Sequence, residues 1–212
     1  MMLRRLRACS AWAVFDWAGW RLGDLELMAR DSGSPAPILA SHAIFHGRPS
    51  RPGLRIQGME NVWDYPRPPA IEPCARRVRI MLGGETIADS TTALRILETS
   101  HPPAIYVPLA DVADGALTPA SARASLCEWK GMARYLDVHG GGRTVEAGGW
   151  TYPDPSGRYA ALRDHVSVYP GRMDECRLDD ELVVAQEGDF YGGWITADIS
   201  GPFKGGPGTR GW

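Results

Sequence analysis

Regular alternation of apolar and polar positions starts at Arg77. Val78, Ile80 and Leu82 alternate with Arg79 and Met81, the period-two pattern of a half-buried strand. Gly83-Gly84 supplies the pair of residues that a tight hairpin turn requires, and residues 86–89 return as its second strand. Apolar character resumes over 93–98. Thr99-Ser100-His101-Pro102-Pro103 then breaks the backbone, and residues 104–107 start a new strand before Pro108.

Residues 111–125 are polar and read as a loop around Leu117-Thr118-Pro119. Residues 132–138 again alternate with period two, His139-Gly140-Gly141-Gly142-Arg143 makes a turn, and 144–151 form the partner strand. One short helix is predicted after Ser156 as N-cap, with Tyr159, Leu162 and His165 along one side. Further strands are expected over 166–169, 176–178 and 182–184. The tail from Tyr191 to Trp212 is too rich in Gly and Pro for regular structure. Its Phe203 and Trp212 imply that it packs on the body.

The first 58 residues show no such pattern. They carry eight Arg against four acidic residues and include loops at 31–37 and 48–53. The apolar segment 8–15 is short for a signal peptide and ends at Asp16 without a small-residue cleavage site. We read 1–58 as a poorly ordered extension or a gene-model artefact, since Met59 offers an alternative start, and 59–212 as the folded domain. The Pro-rich segment 66–73 enters that domain in an extended conformation.

Composition supports a mainly β, compact antiparallel domain with one short helix: 25 Gly and 17 Pro disfavour long helices, and eight Trp and seven Tyr suit strands. A net charge of −2 lacks the basic surplus that a dedicated nucleic-acid binder uses against phosphates. No apolar run reaches the roughly 20 residues that span a bilayer. The four cysteines, Cys9, Cys74, Cys127 and Cys176, contain no Cys-x-x-Cys pair, so neither a metal site nor any cofactor is predicted, and a reduced cytoplasmic setting is expected. Neither a ligand's identity nor an oligomeric state follows from the residues.

A set of short motifs carries a family resemblance. Arg77-Val78-Arg79-Ile80 with Gly83-Gly84-Glu85 and Ala88-Asp89-Ser90 comes first. Glu98-Thr99-Ser100-His101-Pro102-Pro103, Trp129-Lys130-Gly131, Trp150-Thr151-Tyr152-Pro153-Asp154-Pro155 and Tyr191-Gly192-Gly193-Trp194 follow in order. Together they resemble the bacterial and fungal family known as domain of unknown function 427. The resemblance implies a β-tent-like domain, similar to methionine sulfoxide reductase B and glutathione-dependent formaldehyde-activating enzymes, and it implies no activity. The paired cysteines that hold zinc in related proteins are missing here. A nucleotidyltransferase label sometimes attached to the family finds no Asp-x-Asp pair and no phosphate loop in this chain.

The candidate chemistry centres on Leu126-Cys127-Glu128-Trp129-Lys130-Gly131. Lys130 and Lys204 are the two lysines of a chain with 21 arginines, and arginine does not replace a compact amine where one is wanted. They line an anion-attracting pocket or hold the tail through backbone carbonyls. His101 acts as base or as a turn histidine, and Cys127 is a nucleophile, a ligand contact or a small buried hydrophobe. Glu98, Tyr106, Trp129, Arg134 and Tyr152 complete the candidate binding set, with Trp129, Trp150 and Trp194 serving as core or as a stacking wall. The expected function is binding or modification of a small polar or anionic molecule. The alternative is a non-catalytic interaction module in which these residues are structural.

Overall fold

A computed structural model of the protein describes residues 58–188 and 190–212. The expected N-terminal arm lies outside the described residues except for Gly58. The described chain is mainly β and antiparallel. Its strands are β1 (Glu60–Asn61), β2 (Ala70–Pro73), β3 (Val78–Leu82), β4 (Glu85–Ser90), β5 (Leu94–Leu97), β6 (Ala104–Pro108), β7 (Leu117–Pro119) and β8 (Ser125–Cys127). There follow β9 (Gly131–Gly140), β10 (Arg143–Thr151), β11 (His165–Val168), β12 (Glu175–Leu178), β13 (Glu181–Leu182), β14 (Val184–Ala185), β15 (Trp194–Ile195) and β16 (Ile199–Ser200).

Both expected hairpins form. Gly83 and Gly84 take φ of 61° and 78° between β3 and β4, and Gly141 and Gly142 take 54° and 73° between β9 and β10. Positive φ at both central residues matches the twist of the flanking strands, which is why glycine pairs occur there. The larger sheet runs β2-β5-β6-β11-β10-β9-β7, with β8 also paired to β9; the smaller runs β13-β12-β3-β4.

Strand alternation then divides the interior. Val78, Ile80 and Leu82 of β3 join Cys176 and Leu178 of β12 against Ile105, Val107, Val138 and Val168 of the larger sheet. This shared core joins the two sheets, each buried aliphatic side chain contributing roughly 1.5–3 kcal/mol. Residues between them face the other way. Tyr106, set between Ile105 and Val107, gathers with Ile96, Ala133, Trp150, Tyr152, Tyr159 and Leu162 in a second, aromatic cluster. In β10 the register jumps between Val145 and Gly149, where Ala147 (φ 47°) donates its N–H to Asp137 at 2.7 Å. Four residues of β10 span two of β9, so side-chain parity survives and Trp150 lands opposite Tyr135.

Three local expectations change. The polar segment 111–125 is not all loop: β7 pairs with β9, and β8 starts at Ser125. A three-residue strand is too short for alternation to register. The helix after Ser156 is a pair of 3-10 turns over Gly157–Leu162, kinked at Tyr159. Ser156 makes no capping bond with its side chain, and His165 belongs to β11. The tail contains two short paired strands, with β16 parallel to β1 and β15 paired to β14.

Arginines fasten the early segments to the sheets. Arg95 reaches Glu60 at 2.9 Å and Glu72 at 2.8 Å, while Arg76 reaches Asp179 at 3.0 Å and Glu181 at 2.8 Å. No helix among the described residues is long and apolar enough to cross a membrane.

Candidate functional site

The aromatic face of the larger sheet is not fully covered. A cleft of about 450 Å³ opens over it, lined by residues from β5, β6, β8, β9 and β10 and from the segments around 67, 98–102, 128–130, 186, 190–193 and 204. Its size falls within the ~300–1,000 Å³ typical of small-molecule sites. Glu98, His101, Tyr106, Cys127, Trp129, Lys130, Tyr152 and Lys204, eight of the nine candidates, line it.

Arg134 does not line the cleft. It is exposed, and its neighbours Ala133 and Tyr135 take the cleft side of β9. Successive strand residues point to opposite faces, so one position of offset removes it from the site.

Lys130 sits in the turn joining β8 to β9, where Cys127 pairs with Gly131 and three residues form the loop. Gly131 takes φ of 101°, a conformation suited to glycine. The segment after β10 folds over this turn: the Ser156 N–H donates to the Lys130 carbonyl at 3.1 Å, and its hydroxyl donates to the Trp129 carbonyl. Lys130 is thereby left only 9% exposed. Its Nζ stands 5.8 Å from the centroid of the Tyr152 ring and makes no hydrogen bond or ion pair among the described residues. A cation over a ring gains about 0.5–2 kcal/mol, while removing an ammonium from water costs several. No carboxylate or carbonyl among the described residues bonds to it.

His101 closes a β-turn by donating its N–H to the Glu98 carbonyl at 3.0 Å. Its Nδ1 lies 3.0 Å from the Thr99 carbonyl, so Nδ1 carries the proton and Nε2 is left as an acceptor. Burial lowers the imidazole pKa below its ordinary value, against smaller opposing effects of the Thr99 bond and the Glu98 charge. The ring packs edge-on to Tyr191 at 4.7 Å. Ser100, between Thr99 and His101, takes φ of 70° although it is not glycine. It is held there from two sides: its N–H donates to Val62 at 3.0 Å, and its carbonyl accepts from the Lys204 N–H at 2.8 Å.

The remaining charges are engaged or exposed. Glu98 accepts from Arg67 at 3.0 Å, and Lys204 donates from Nζ to the Trp212 main-chain oxygen at 2.6 Å. Lys204 therefore combines both expected roles, cleft wall and tail anchor. Glu128 is exposed at the rim.

The floor is aromatic. Trp150 donates from Nε1 to the Tyr106 hydroxyl at 2.9 Å and packs against Tyr169 at 4.6 Å. Burial raises the pKa of Tyr106, Tyr152 and Tyr169, the last to about 12, so all three keep their protons. Trp129 Nε1 is buried without a partner. Trp194, by contrast, is part of the core between the sheets.

Several wall residues were missed from the sequence: Arg67, Ser125, Tyr135, Tyr169, Gln186 and Tyr191. For the last two the signal lay in Tyr191-Gly192-Gly193-Trp194. A Cβ at Gly192 would collide with the Trp150 ring, and one at Gly193 with the side-chain oxygen of Gln186. Gln186 accepts from the Gly193 N–H at 3.1 Å and donates to the Lys204 carbonyl at 2.6 Å.

Among the described residues, no three His, Cys, Asp or Glu side chains are grouped so that they could hold a metal ion. A search of curated proteins returns no match. The model of a family described as a domain of unknown function, DUF427, matches residues 70–179, from β2 through β12 and just over half of the chain. The chain, with the larger sheet, all of the smaller sheet but β13 and most of the cleft floor inside that match, belongs to the DUF427 family.

Proposed function

We propose that this domain recognises a small anionic molecule in the aromatic cleft, with Lys130 meeting its charge. One observation carries the reading: a lysine only 9% exposed, whose ammonium has no hydrogen bond or ion pair among the described residues, in the wall of a ligand-sized cleft. An incoming anion supplies the missing compensation, and a partly enclosed site strengthens the attraction relative to water.

Modification of the ligand, with His101 as base and Cys127 as nucleophile, has weaker support. Neither the His101 ring nor the Cys127 thiol hydrogen-bonds to the Lys130 or Glu98 side chain among the described residues, so no assembled nucleophile and base accompanies the cation. The unpaired thiols of Cys74, Cys127 and Cys176 support a reducing, cytoplasmic setting.

The test is a thermal-shift panel of small carboxylates, sulfonates and phosphates on the wild-type chain and on Lys130→Met. At least one anion class should raise Tm with concentration, because a ligand held only by the folded form stabilises it. Lys130→Met should lose that shift. Equal shifts in the variant, or none from any anion, defeat the proposal.

A further inference from the structure

We infer that the occupant of the cleft is a monoanion with a flat, conjugated body, its carboxylate seated against Lys130. This rests on the anion-binding reading above and narrows it to a ligand class on three independent grounds.

The first is hydrogen-bond balance. Among the described residues, Lys130 Nζ in the cleft wall and Trp129 Nε1, buried on the neighbouring residue, have no acceptor, and neither can accept. The Trp150 N–H is already satisfied by Tyr106. A head group that only accepts, as an ionised carboxylate does, fits this pattern better than an amide or an alcohol.

The second is charge. Arg67 is engaged by Glu98 and Lys204 by the Trp212 oxygen, and His101 is kept neutral by burial. Glu128 is exposed at the rim, where water screens it. Lys130 is the cleft cation with neither a hydrogen bond nor an ion pair among the described residues, and that one cation matches one negative charge. A dianion would bring a second charge out of water with nothing to balance it.

The third is shape. Tyr106, Trp150 and Tyr169 form the floor, and Tyr152 flanks Lys130. Aromatic pairs in offset or edge-to-face contact gain about 0.5–1.5 kcal/mol beyond the area they bury, which a saturated ring forgoes. The rim is apolar as well: Leu126 is 74% exposed and Phe190 70% exposed, both beside the opening. A flat body extending outward from the buried head covers them.

The experiment is calorimetric titration of the full chain with benzoate, naphthoate, cyclohexanecarboxylate, phenyl phosphate and benzamide. Benzoate and naphthoate should bind, cyclohexanecarboxylate about fivefold more weakly, and phenyl phosphate and benzamide about tenfold more weakly. Lys130→Met should weaken naphthoate about tenfold and leave benzamide unchanged. Trp129→Phe, which keeps a ring and removes the N–H, should weaken it several-fold, with near-UV circular dichroism verifying the fold of both variants. Tighter binding of phenyl phosphate overturns the single charge, and equal binding of cyclohexanecarboxylate overturns the flat body; in both cases the anion-binding reading stands. If other anions shift Tm and no aromatic carboxylate binds, this inference alone fails. If no anion acts at all, both fail.

Discussion

The Ser156 hydroxyl donates to the Trp129 carbonyl at 2.5 Å, across 27 residues of chain. With the Ser156 N–H bonded to Lys130, it pins the β8–β9 turn beneath the segment that follows β10. A serine that looks like a helix cap in the sequence instead serves as a clamp on the cleft wall. Ser156→Ala should cost about 1 kcal/mol of stability. Ligand affinity should fall by more than this, because the turn carrying Lys130 loses one of its two restraints. Urea unfolding and ligand titration on the same variant separate the two effects.

Lys130→Met should leave stability unchanged or raise it, by up to about 2 kcal/mol, since it replaces a largely buried side chain with an unpaired charge by an apolar chain of similar length. Anion binding should weaken about tenfold. Denaturant unfolding without ligand checks the first statement, and a loss of more than about 2 kcal/mol would mark the lysine as part of the framework.

His101 gives stability a pH dependence of definite sign. Burial holds its folded pKa below the value of about 6.5 in the unfolded chain, so the unfolded state takes up the proton first. The neutral form is favoured by folding. Stability should therefore be full above about pH 6.5, fall as pH drops through the interval down to the folded pKa, and level off below it. Asp89 and Asp174, whose carboxyls Arg77 and Arg143 hold low, act only below about pH 4, outside this window. In urea midpoints taken between pH 5 and 8, His101→Gln should flatten the slope.

Gly192→Ala should destabilise by about 1–3 kcal/mol, because the added carbon meets the Trp150 ring and that ring is already held by Tyr106 and Tyr169. Thermal unfolding measures the loss. Trp150 emission should shift as the ring is displaced.

Cys127 should alkylate ahead of Cys74 and Cys176. It is half-buried in the cleft wall, whereas the other two are buried and burial raises their pKa, depleting the reactive thiolate. Peptide mass spectrometry after brief iodoacetamide treatment ranks the three. A bound ligand should slow Cys127 alone.

What could be read from the chain, and what could not, divides by range of interaction. The turns at Gly83-Gly84 and Gly141-Gly142 were legible because positive φ is a property of one residue and its neighbours. Convergence of Glu98, His101, Cys127, Trp129 and Lys130 on one cleft was suggested by their chemistry, since a rare lysine near a thiol and an indole stands out locally. Arg134 was misplaced because alternation reveals that a strand has two faces but not which face meets the cleft. Arg67 and Tyr169 depended on contacts between distant segments, such as the ion pair from Arg67 to Glu98, for which short-range pattern offers no sign. The strands β7 and β8 were hidden for a different reason, their three-residue length.

The backbone of Ser100 joins Val62 on one side to Lys204 on the other, and Glu60 pairs with Ile199 close by. The entry and exit of the domain are therefore knotted at the very loop that presents the imidazole. Trimming either end past these residues releases the left-handed serine and, with it, the orientation of His101. A variant shortened beyond Val62 or before Lys204 should keep its aliphatic interior yet lose the mouth of its binding site, which makes the ends of this domain a poor place to economise when it is shortened for study.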